Sequence, residues 1–246
     1  MNAWRDYYTN PENIEKIAKF CRYREVVAIK RLKDRNVTLR PLKIFKPEHF
    51  EYWFNRTLKD CLFDLYISNA SVKLPPLPPG LSNLEEARRI VNEKWRKYLQ
   101  QEETDFVTGF DLFADIDIDA MEQRDDARRY ALKLWEELRK LKLKPQLWDT
   151  SRGFHVIVLG RFDPMDCFAL LRDICNKAKI PTSMSRICER CGNLYIADKC
   201  PECGSTKCKV AEKPRVDLAV SLDIRRIRRC PYSLHSKTHK PMVRIC

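Results

Sequence analysis

Two aspartates alternate with apolar residues at the end of the apolar stretch Phe106–Ile118. Because a strand turns successive side chains to opposite faces, Asp115 and Asp117 share one face while Ile116 enters the core on the other. Two carboxylates this close repel each other unless a cation lies between them, and Mg²⁺ or Mn²⁺ prefers oxygen ligands and keeps positions for phosphate and water. The pattern predicts a divalent metal site at a strand end. An ordinary solvated strand edge is the alternative for this pattern alone.

A third acid, Asp217, lies in a short apolar segment that we predict to be a strand over Arg215–Ser221. Together with Asp115 and Asp117 it would complete a site for two metal ions about 4 Å apart, the arrangement used in phosphoryl transfer. For Asp217 alone, the alternative is a carboxylate that bonds the turn that follows.

A polar turn with a glycine leads directly into the apolar strand that begins near Val156. Gly153 permits close backbone approach, Ser151 can bond phosphate oxygens, and Arg152 and His155 add donors and positive charge. The turn is thus a candidate phosphate-binding element. A structural turn with a hydrogen-bonded histidine is the alternative.

Cations are densest in the segment Arg225–Lys240, where Pro, Tyr, Ser, Leu and His residues are interleaved with them. This density favours contact with a triphosphate or a template backbone. A solvated basic surface or a targeting signal is the alternative, but neither requires the interleaved residues.

Four cysteines form two Cys-x-x-Cys pairs separated by eight residues, each followed by a glycine: Cys188, Cys191, Cys200 and Cys203, with Gly192 and Gly204. Thiolates spaced in this way can face one ion, and four of them close it to water, so the spacing predicts a structural zinc site. Cys208 could replace one ligand. A redox-active dithiol is disfavoured because the pair is repeated.

Composition supports a globular protein with a polyanionic partner. The 246 residues are 44% hydrophobic and 33% charged, with a formal net charge of +13, and basic surfaces attract phosphate backbones. The sequence has no apolar run of about 20 residues that would span a membrane, and its N-terminus lacks the apolar core of a signal peptide. We therefore expect a soluble, intracellular protein without a membrane partner, cytoplasmic if it is prokaryotic.

Apolar spacing and breaker residues also outline the secondary structure. We predict helices over Pro11–Phe20, Ser82–Gln101, Asp125–Leu141 and Pro164–Ala178, and strands over Arg24–Leu32, Asn36–Phe45, Phe106–Ile118 and Gln146–Leu159. The proline-rich run over 74–83 reads as an extended connector.

In combination, these motifs resemble the small catalytic subunit of archaeal and eukaryotic DNA primase and its superfamily. That family has an apolar strand ending in Asp-x-Asp, a Ser-Gly-x-x-Gly-x-His turn, and an apolar-Asp strand followed by Arg-x-x-Arg-x-Pro-x-Ser-Leu-His-x-Lys. The matching segments here are Phe113–Asp117, Gly153–His155, Val216–Asp217 and Arg226–Lys237, with Asp149-Thr150 where the family has Ser-Gly. Order and spacing agree, and the resemblance spans most of the chain.

The resemblance implies an α+β, two-lobed catalytic core over 1–246, with mixed sheets flanked by helices. Its parts would be an N-terminal α/β part (1–73), the connector (74–83), a catalytic part (84–180 and 209–246) and a four-cysteine zinc-ribbon insertion (185–208). It assigns Mg²⁺ or Mn²⁺ to Asp115, Asp117 and Asp217. With Ser151 from the turn, it assigns the nucleotide phosphates to Arg152, His155, Arg229, His235 and Lys237.

The implied function is that of a DNA primase catalytic subunit that synthesises short primers and releases pyrophosphate. Its implied partners are a single-stranded DNA template, nucleoside triphosphates and a primase large subunit. One alternative is a primase-polymerase of a plasmid, a virus or an end-joining repair pathway. An alternative of a different class is a non-catalytic zinc-ribbon protein that binds nucleic acid.

Overall fold

The chain divides into two compact units in a computed structural model. The first unit comprises Met1–Phe110 and Arg225–Met242, and the second comprises Asp111–Ile224 and Val243–Cys246. The structure describes residues 2–42, 44, 46–72, 89, 93–94, 96–97, 100 and 105–246. The connector predicted over 74–83 lies outside these residues. Within the helix predicted over Ser82–Gln101, the described residues 89, 93, 94, 96 and 97 are helical.

The described residues form both α-helices and antiparallel sheets, which confirms the predicted α+β class. In chain order the elements are α1 (Asn2–Thr9), α2 (Pro11–Cys21), β1 (Val26–Arg31), β2 (Asn36–Leu42), α3 (Pro47–Trp53), β3 (Leu62–Ser68), β4 (Ala70–Val72), β5 (Val107–Asp117), α4 (Arg124–Lys140), β6 (Gln146–Asp149), β7 (Gly153–Phe162), α5 (Pro164–Lys177), β8 (Arg186–Cys188), β9 (Leu194–Tyr195), β10 (Cys208–Val210), β11 (Arg215–Val216), β12 (Ile227–Arg229) and β13 (Val243–Arg244). A π-helical segment, Phe54–Leu58, follows α3, and 3₁₀ turns cover Met121–Gln123 and Leu218–Ser221.

The first unit contains an antiparallel sheet in the order β12-β3-β1-β2. Phe63, Leu65 and Ile67 of β3 belong to the buried cluster that includes side chains of α1, α2 and α3. Because side chains alternate along a strand, Asp64 and Tyr66 lie on the opposite face. The sheet therefore has one apolar face packed on helices and one polar face.

Local signals place α2 and the two strands that follow it where the sequence predicts them. The Asn10 side chain caps α2 by accepting a hydrogen bond from the backbone N–H of Glu12, and Pro11 occupies the first turn. Strands β1 and β2 confirm the two predicted strands and pair antiparallel; β2 covers Asn36–Leu42, and Ile44 lies outside it.

The second unit is built on a sheet in the order β11-β5-β7-β6-β13. Leu112, Ala114 and Ile116 of β5 are fully buried in a cluster shared with Leu134 of α4 and Leu171 of α5. These residues confirm the strand and the two helices predicted after residue 105. Among the described residues, no helix combines the length and the apolar character that crossing a bilayer requires.

Gly153 lies where the hairpin between β6 and β7 meets β5. The turn is closed by a hydrogen bond of 3.1 Å from the Thr150 N–H to the Gly153 carbonyl. A Cβ added at Gly153 would lie 2.4 Å from the carbonyl oxygen of Ile116 and 3.2 Å from the Cα of Asp117. Glycine at position 153 thus permits the predicted close backbone approach. The backbone that it approaches is that of β5, the strand that carries Asp115 and Asp117.

We expect Gly153→Ala to lower the free energy of unfolding by about 1–3 kcal/mol, because the clash is with backbone atoms that cannot rotate away. Urea denaturation measures this loss. The control is Gly160→Ala, whose Cβ would meet the ring of Phe162, a side chain that can move. An equal loss in both variants would contradict the assignment of the clash to the β5 backbone.

Candidate functional site

The end of β5 presents two carboxylates on one face. Asp115 and Asp117 point away from the buried cluster that receives Ala114 and Ile116. Asp115 is half-buried and Asp117 is exposed. The alternation predicted from the sequence therefore holds at this strand end.

Asp217 lies beside Asp115. In the antiparallel pairing of β11 with β5, Val216 is opposite Ile116, and the N–H of Asp217 donates to the carbonyl of Asp115 at 3.0 Å. Opposite residues of antiparallel strands project from the same face, with Cβ atoms about 5 Å apart. The predicted adjacency of the two acid-bearing segments is confirmed.

The strand predicted over Arg215–Ser221 is too long. It ends at Val216, and Asp217 caps the 3₁₀ turn that follows by accepting a hydrogen bond of 3.1 Å from the Ala219 N–H on its Oδ1. An N-cap residue has extended backbone dihedrals and its carboxylate competes for the next amides, so the ladder stops there. Asp217 bonds the following turn and also lies beside Asp115.

Like charges at the strand end have an electrostatic consequence. Loss of hydration and then the Asp115 carboxylate raise the pKa of Asp117, and the nearby charges of His155, Lys213 and Arg152 offset part of this rise. Asp119, just beyond the strand, forms an ion pair of 3.0 Å with Lys213. The carboxylates of Asp115 and Asp117 repel each other, and a cation bound between them would relieve that repulsion.

His155 is buried next to the same acids. Its Nε2 lies 3.4 Å from Oδ1 of Asp115, and its ring meets Phe113 edge-on with centroids 4.9 Å apart. Its Nδ1 is buried and has no hydrogen-bond partner among the described residues. The predicted histidine thus lies with the carboxylates in the second unit.

Asp149 organises the turn before β7. Oδ1 of Asp149 accepts from the N–H of Ser151 at 2.7 Å, and Oδ2 pairs with Arg124 at 2.5 Å. Ser151 takes a positive φ of 68°, and Arg152 is exposed. We did not anticipate Arg124 from the sequence; its one signal was a basic residue that opens the helix after the paired aspartates.

Three further candidates, Arg229, His235 and Lys237, lie in the first unit. Arg229 is buried on β12, opposite Tyr66 of β3, and donates to the Ser233 carbonyl at 3.1 Å. Burial lowers its pKa. Nδ1 of His235 accepts from the N–H of Lys237 at 3.0 Å, and the Lys237 side chain is exposed. The structure therefore divides the predicted nucleotide contacts between the two units.

The four cysteines of the two pairs converge: the ligand atoms of Cys188, Cys191, Cys200 and Cys203 all lie within 4.8 Å of one another. Each pair forms the same turn, in which Gly192 and Gly204 adopt positive φ and donate to the first cysteine carbonyl at 2.9 Å. Among the described residues this is the one group of potential metal ligands that lie so close together, and Cys208 is not part of it. The carboxylates of Asp115, Asp117 and Asp217 do not form a group with ligand atoms within 4.8 Å of one another.

Backbone donors surround the thiols of this cluster. Loss of hydration raises the pKa of Cys200, but the N–H groups of Cys203 and Glu202 outweigh it and lower the pKa to about 6. Thiolates are the form in which cysteine binds metal ions. The pKa of Cys188 is lowered as well, whereas, despite a backbone hydrogen bond to each, the pKa values of Cys191 and Cys203 are raised by loss of hydration and by the thiols beside them. The cluster therefore has the geometry of a four-thiolate metal site.

We compared the chain with known proteins. No protein-family model matches it, and no curated protein matches it in sequence. One solved structure, the polymerase domain of Mycobacterium tuberculosis ligase D in complex with DNA, aligns over 96% of this chain and 76% of its own, with a TM-score of 0.55. The chain shares its fold with a polymerase domain. Sequence identity is 10%, so the likeness shows the fold and not the roles of individual residues.

We expect Asp117→Asn to raise the free energy of unfolding near neutral pH in a buffer with a chelator. The raised pKa means that ionised Asp117 destabilises the folded state, and this cost disappears as the pH falls to the ordinary value of 3.8. Urea denaturation at several pH values measures the difference. The control is Asp119→Asn, which removes only an exposed ion pair. Destabilisation by Asp117→Asn at neutral pH would contradict the repulsion.

Proposed function

We propose that this chain is a template-directed nucleotidyltransferase, the catalytic subunit of a DNA primase that synthesises short RNA or DNA primers. The observation that carries the proposal is the pairing of β11 with β5, which brings Asp217 beside Asp115 on the face that holds Asp117. This arrangement occurs in a chain with the fold of a polymerase domain. The motif resemblance to primase small subunits supports the same class.

Asp115, Asp117 and Asp217 would hold two Mg²⁺ or Mn²⁺ ions. The donors fit hard cations, because all are carboxylates on one face and the Asp217 bond to Ala219 occupies Oδ1 alone. When bound, such ions neutralise charge on the triphosphate and favour deprotonation of the attacking hydroxyl. Loss of hydration and then repulsion by Asp115 raise the pKa of Asp117, and such ions would remove the repulsion.

The predicted phosphate contacts would position the nucleotide. Their side chains offer hydrogen-bond donors or positive charge: Ser151, Arg152, His155, Arg229, His235 and Lys237. In the reaction, the 3′-hydroxyl oxygen bonds to the α-phosphorus, the bond to the bridging oxygen breaks, and pyrophosphate leaves. Catalysis then consists of positioning and charge stabilisation, with no covalent role for the protein.

The second candidate is a primase-polymerase of an end-joining, plasmid or viral system. One observation favours it: a solved structure with a similar fold is the polymerase domain of a ligase. The two functions differ in their substrate, because a primase starts on a single strand whereas an end-joining polymerase extends annealed ends. In both, single-stranded DNA and nucleoside triphosphates are the proposed partners. A primase large subunit enters the proposal through the motif resemblance only.

We expect Asp217→Asn to reduce nucleotide incorporation by at least about a hundredfold without loss of fold, because the site loses one of its anionic ligands. The assay combines the purified chain with single-stranded DNA, Mg²⁺ or Mn²⁺, and ribo- or deoxynucleotides, and sizes the products. Asp119→Asn, which removes an acid that lies just beyond β5 and is paired with Lys213, is the control and should stay active.

The products separate the candidates. New dinucleotides and short primers support a primase, and extension restricted to annealed ends supports the end-joining function. Full activity of Asp217→Asn would refute the metal assignment. Absence of metal-dependent nucleotide binding in the unaltered chain would leave the alternative of a different class, a zinc-ribbon protein that binds nucleic acid.

We also propose that the four cysteines hold a structural zinc ion in a zinc ribbon over 185–208. The three short strands β10, β8 and β9 support the two cysteine turns. Four thiolates close the ion to water, so the ion would stabilise this part of the fold and not take part in catalysis.

We expect the purified chain to bind about one zinc ion, and Cys200→Ser to lose it together with thermal stability. Zinc released by a thiol reagent and measured with a colorimetric chelator gives the stoichiometry. Cys208→Ser is the matched control, because Cys208 lies next to the cluster but outside the group of four. Zinc retention by Cys200→Ser would contradict the assignment.

A further inference from the structure

The segment Pro231–Lys237 follows β12 in the first unit and carries two of the proposed phosphate-binding residues, His235 and Lys237. It has little regular structure of its own: β12 ends at Arg229, and the described backbone continues in turns. An irregular segment keeps one conformation only if other elements hold it. Backbone hydrogen bonds to Lys240 and Met242 hold part of it. Two buried side chains, Asp64 of β3 and Tyr8 of α1, tie it to the rest of the unit.

Asp64 binds the segment through both of its carboxylate oxygens. Oδ1 accepts from the backbone N–H of Ser236 at 2.8 Å, and Oδ2 accepts from the Ser236 hydroxyl at 2.7 Å. Oδ2 also accepts from Nε of Arg31 at 2.8 Å. Asp64 is 2% exposed, so these contacts replace water around the carboxylate. Ser236 is the residue between His235 and Lys237, and its position fixes both neighbours.

The charge of Asp64 has a second effect in the same unit. Burial alone would raise its pKa, but the Ser236 donors and Arg31 outweigh burial and hold the pKa below its ordinary value. The carboxylate is therefore ionised at neutral pH. Its negative charge also favours the charged form of the buried Arg229, whose pKa burial lowers. One anion thus supports the position of Ser236 and the charge of Arg229.

Tyr8 holds the segment at a second point. Its hydroxyl accepts from the backbone N–H of Leu234 at 2.8 Å, and its ring packs on Phe63 with centroids 4.7 Å apart. The adjacent Tyr7 donates to the Tyr232 carbonyl at 2.6 Å. The segment is therefore bonded to α1 at Tyr232 and Leu234 and to β3 at Ser236.

We propose that Asp64 is a positioning residue of the nucleotide site: it fixes Ser236 so that His235 and Lys237 are presented to the triphosphate in one arrangement. Tyr8 serves the same segment as a second anchor. The expected effect on nucleotide binding rests on the proposed function. The hydrogen bonds that anchor the segment lie within the first unit and do not depend on that function. Neither residue is proposed to contact a nucleotide or a metal ion.

Asp64→Asn tests this role because asparagine has one acceptor oxygen in place of two. If that oxygen accepts from the Ser236 N–H, the amide NH₂ faces the donors of Arg31; if the side chain is flipped, the NH₂ faces the Ser236 N–H. Either way one contact is lost. We expect the KM for the incoming nucleotide to rise about tenfold while kcat stays within about twofold, because the reacting groups themselves are intact.

Glu25→Gln is the matched control. Glu25 lies just before β1, is 1% exposed, and its carboxylate is paired with Arg40 as that of Asp64 is paired with Arg31. Its carboxylate bonds Arg40 and not the segment Pro231–Lys237. We expect a loss of stability without a change in KM. A KM equal to that of the unaltered chain in Asp64→Asn, or an equal rise in Glu25→Gln, would overturn the proposal.

A second measurement does not depend on activity. Amide hydrogen exchange of the purified chain should accelerate at Ser236 in Asp64→Asn and at Leu234 in Tyr8→Phe, at least about tenfold relative to the amides of α2. Tyr8→Phe removes the hydroxyl and keeps the ring packing, so this variant tests the anchoring even if Asp64→Asn does not fold. Unchanged exchange in these variants refutes the anchoring. Faster exchange in a chain that incorporates no nucleotide refutes the proposed function and leaves the anchoring intact.

Discussion

The backbone hydrogen bond from Asp217 to the carbonyl of Asp115 is the contact on which the proposed chemistry depends. It fixes the register of β11 on β5, and the register decides which side chains share a face. A shift of one residue would turn Asp217 into the apolar cluster and Val216 out of it. Burial of Val216 therefore protects the acid arrangement, because a slip of β11 would expose Val216 and bury the Asp217 carboxylate.

Two further constraints act on the same strand end. Gly153 allows the β6–β7 turn to approach the backbone of Ile116, which brings the Ser151–Arg152 turn near the acids within the second unit. Arg124 and Asp149 then hold the turn, since Asp149 bonds both the helix and the Ser151 amide. The repulsion among the carboxylates is retained in spite of its cost, as expected at sites where function and stability conflict.

Periodic and capping signals were sufficient to predict α2, α4, α5 and β5 from the sequence, because each of these long elements buries one apolar face against the core of its own unit. Elements without such a pattern were missed: α1 and α3 are short, and Phe54–Leu58 is π-helical. Arg215–Ser221 was misread because its apolar residues suit a strand, whereas the Asp217 side chain starts a helical turn by bonding Ala219. Local apolar content does not distinguish a strand from a 3₁₀ turn.

The sequence by itself determined the chemistry available: acids alternating on a strand, a glycine turn, a basic segment and paired cysteines, all set by residue type and spacing. The tertiary structure decided which of these groups meet. Asp217 reaches Asp115 across about a hundred residues through strand pairing, and Asp64 reaches Ser236 through the packing of β3. Such contacts depend on register and on chain crossings between distant segments, which no local pattern encodes.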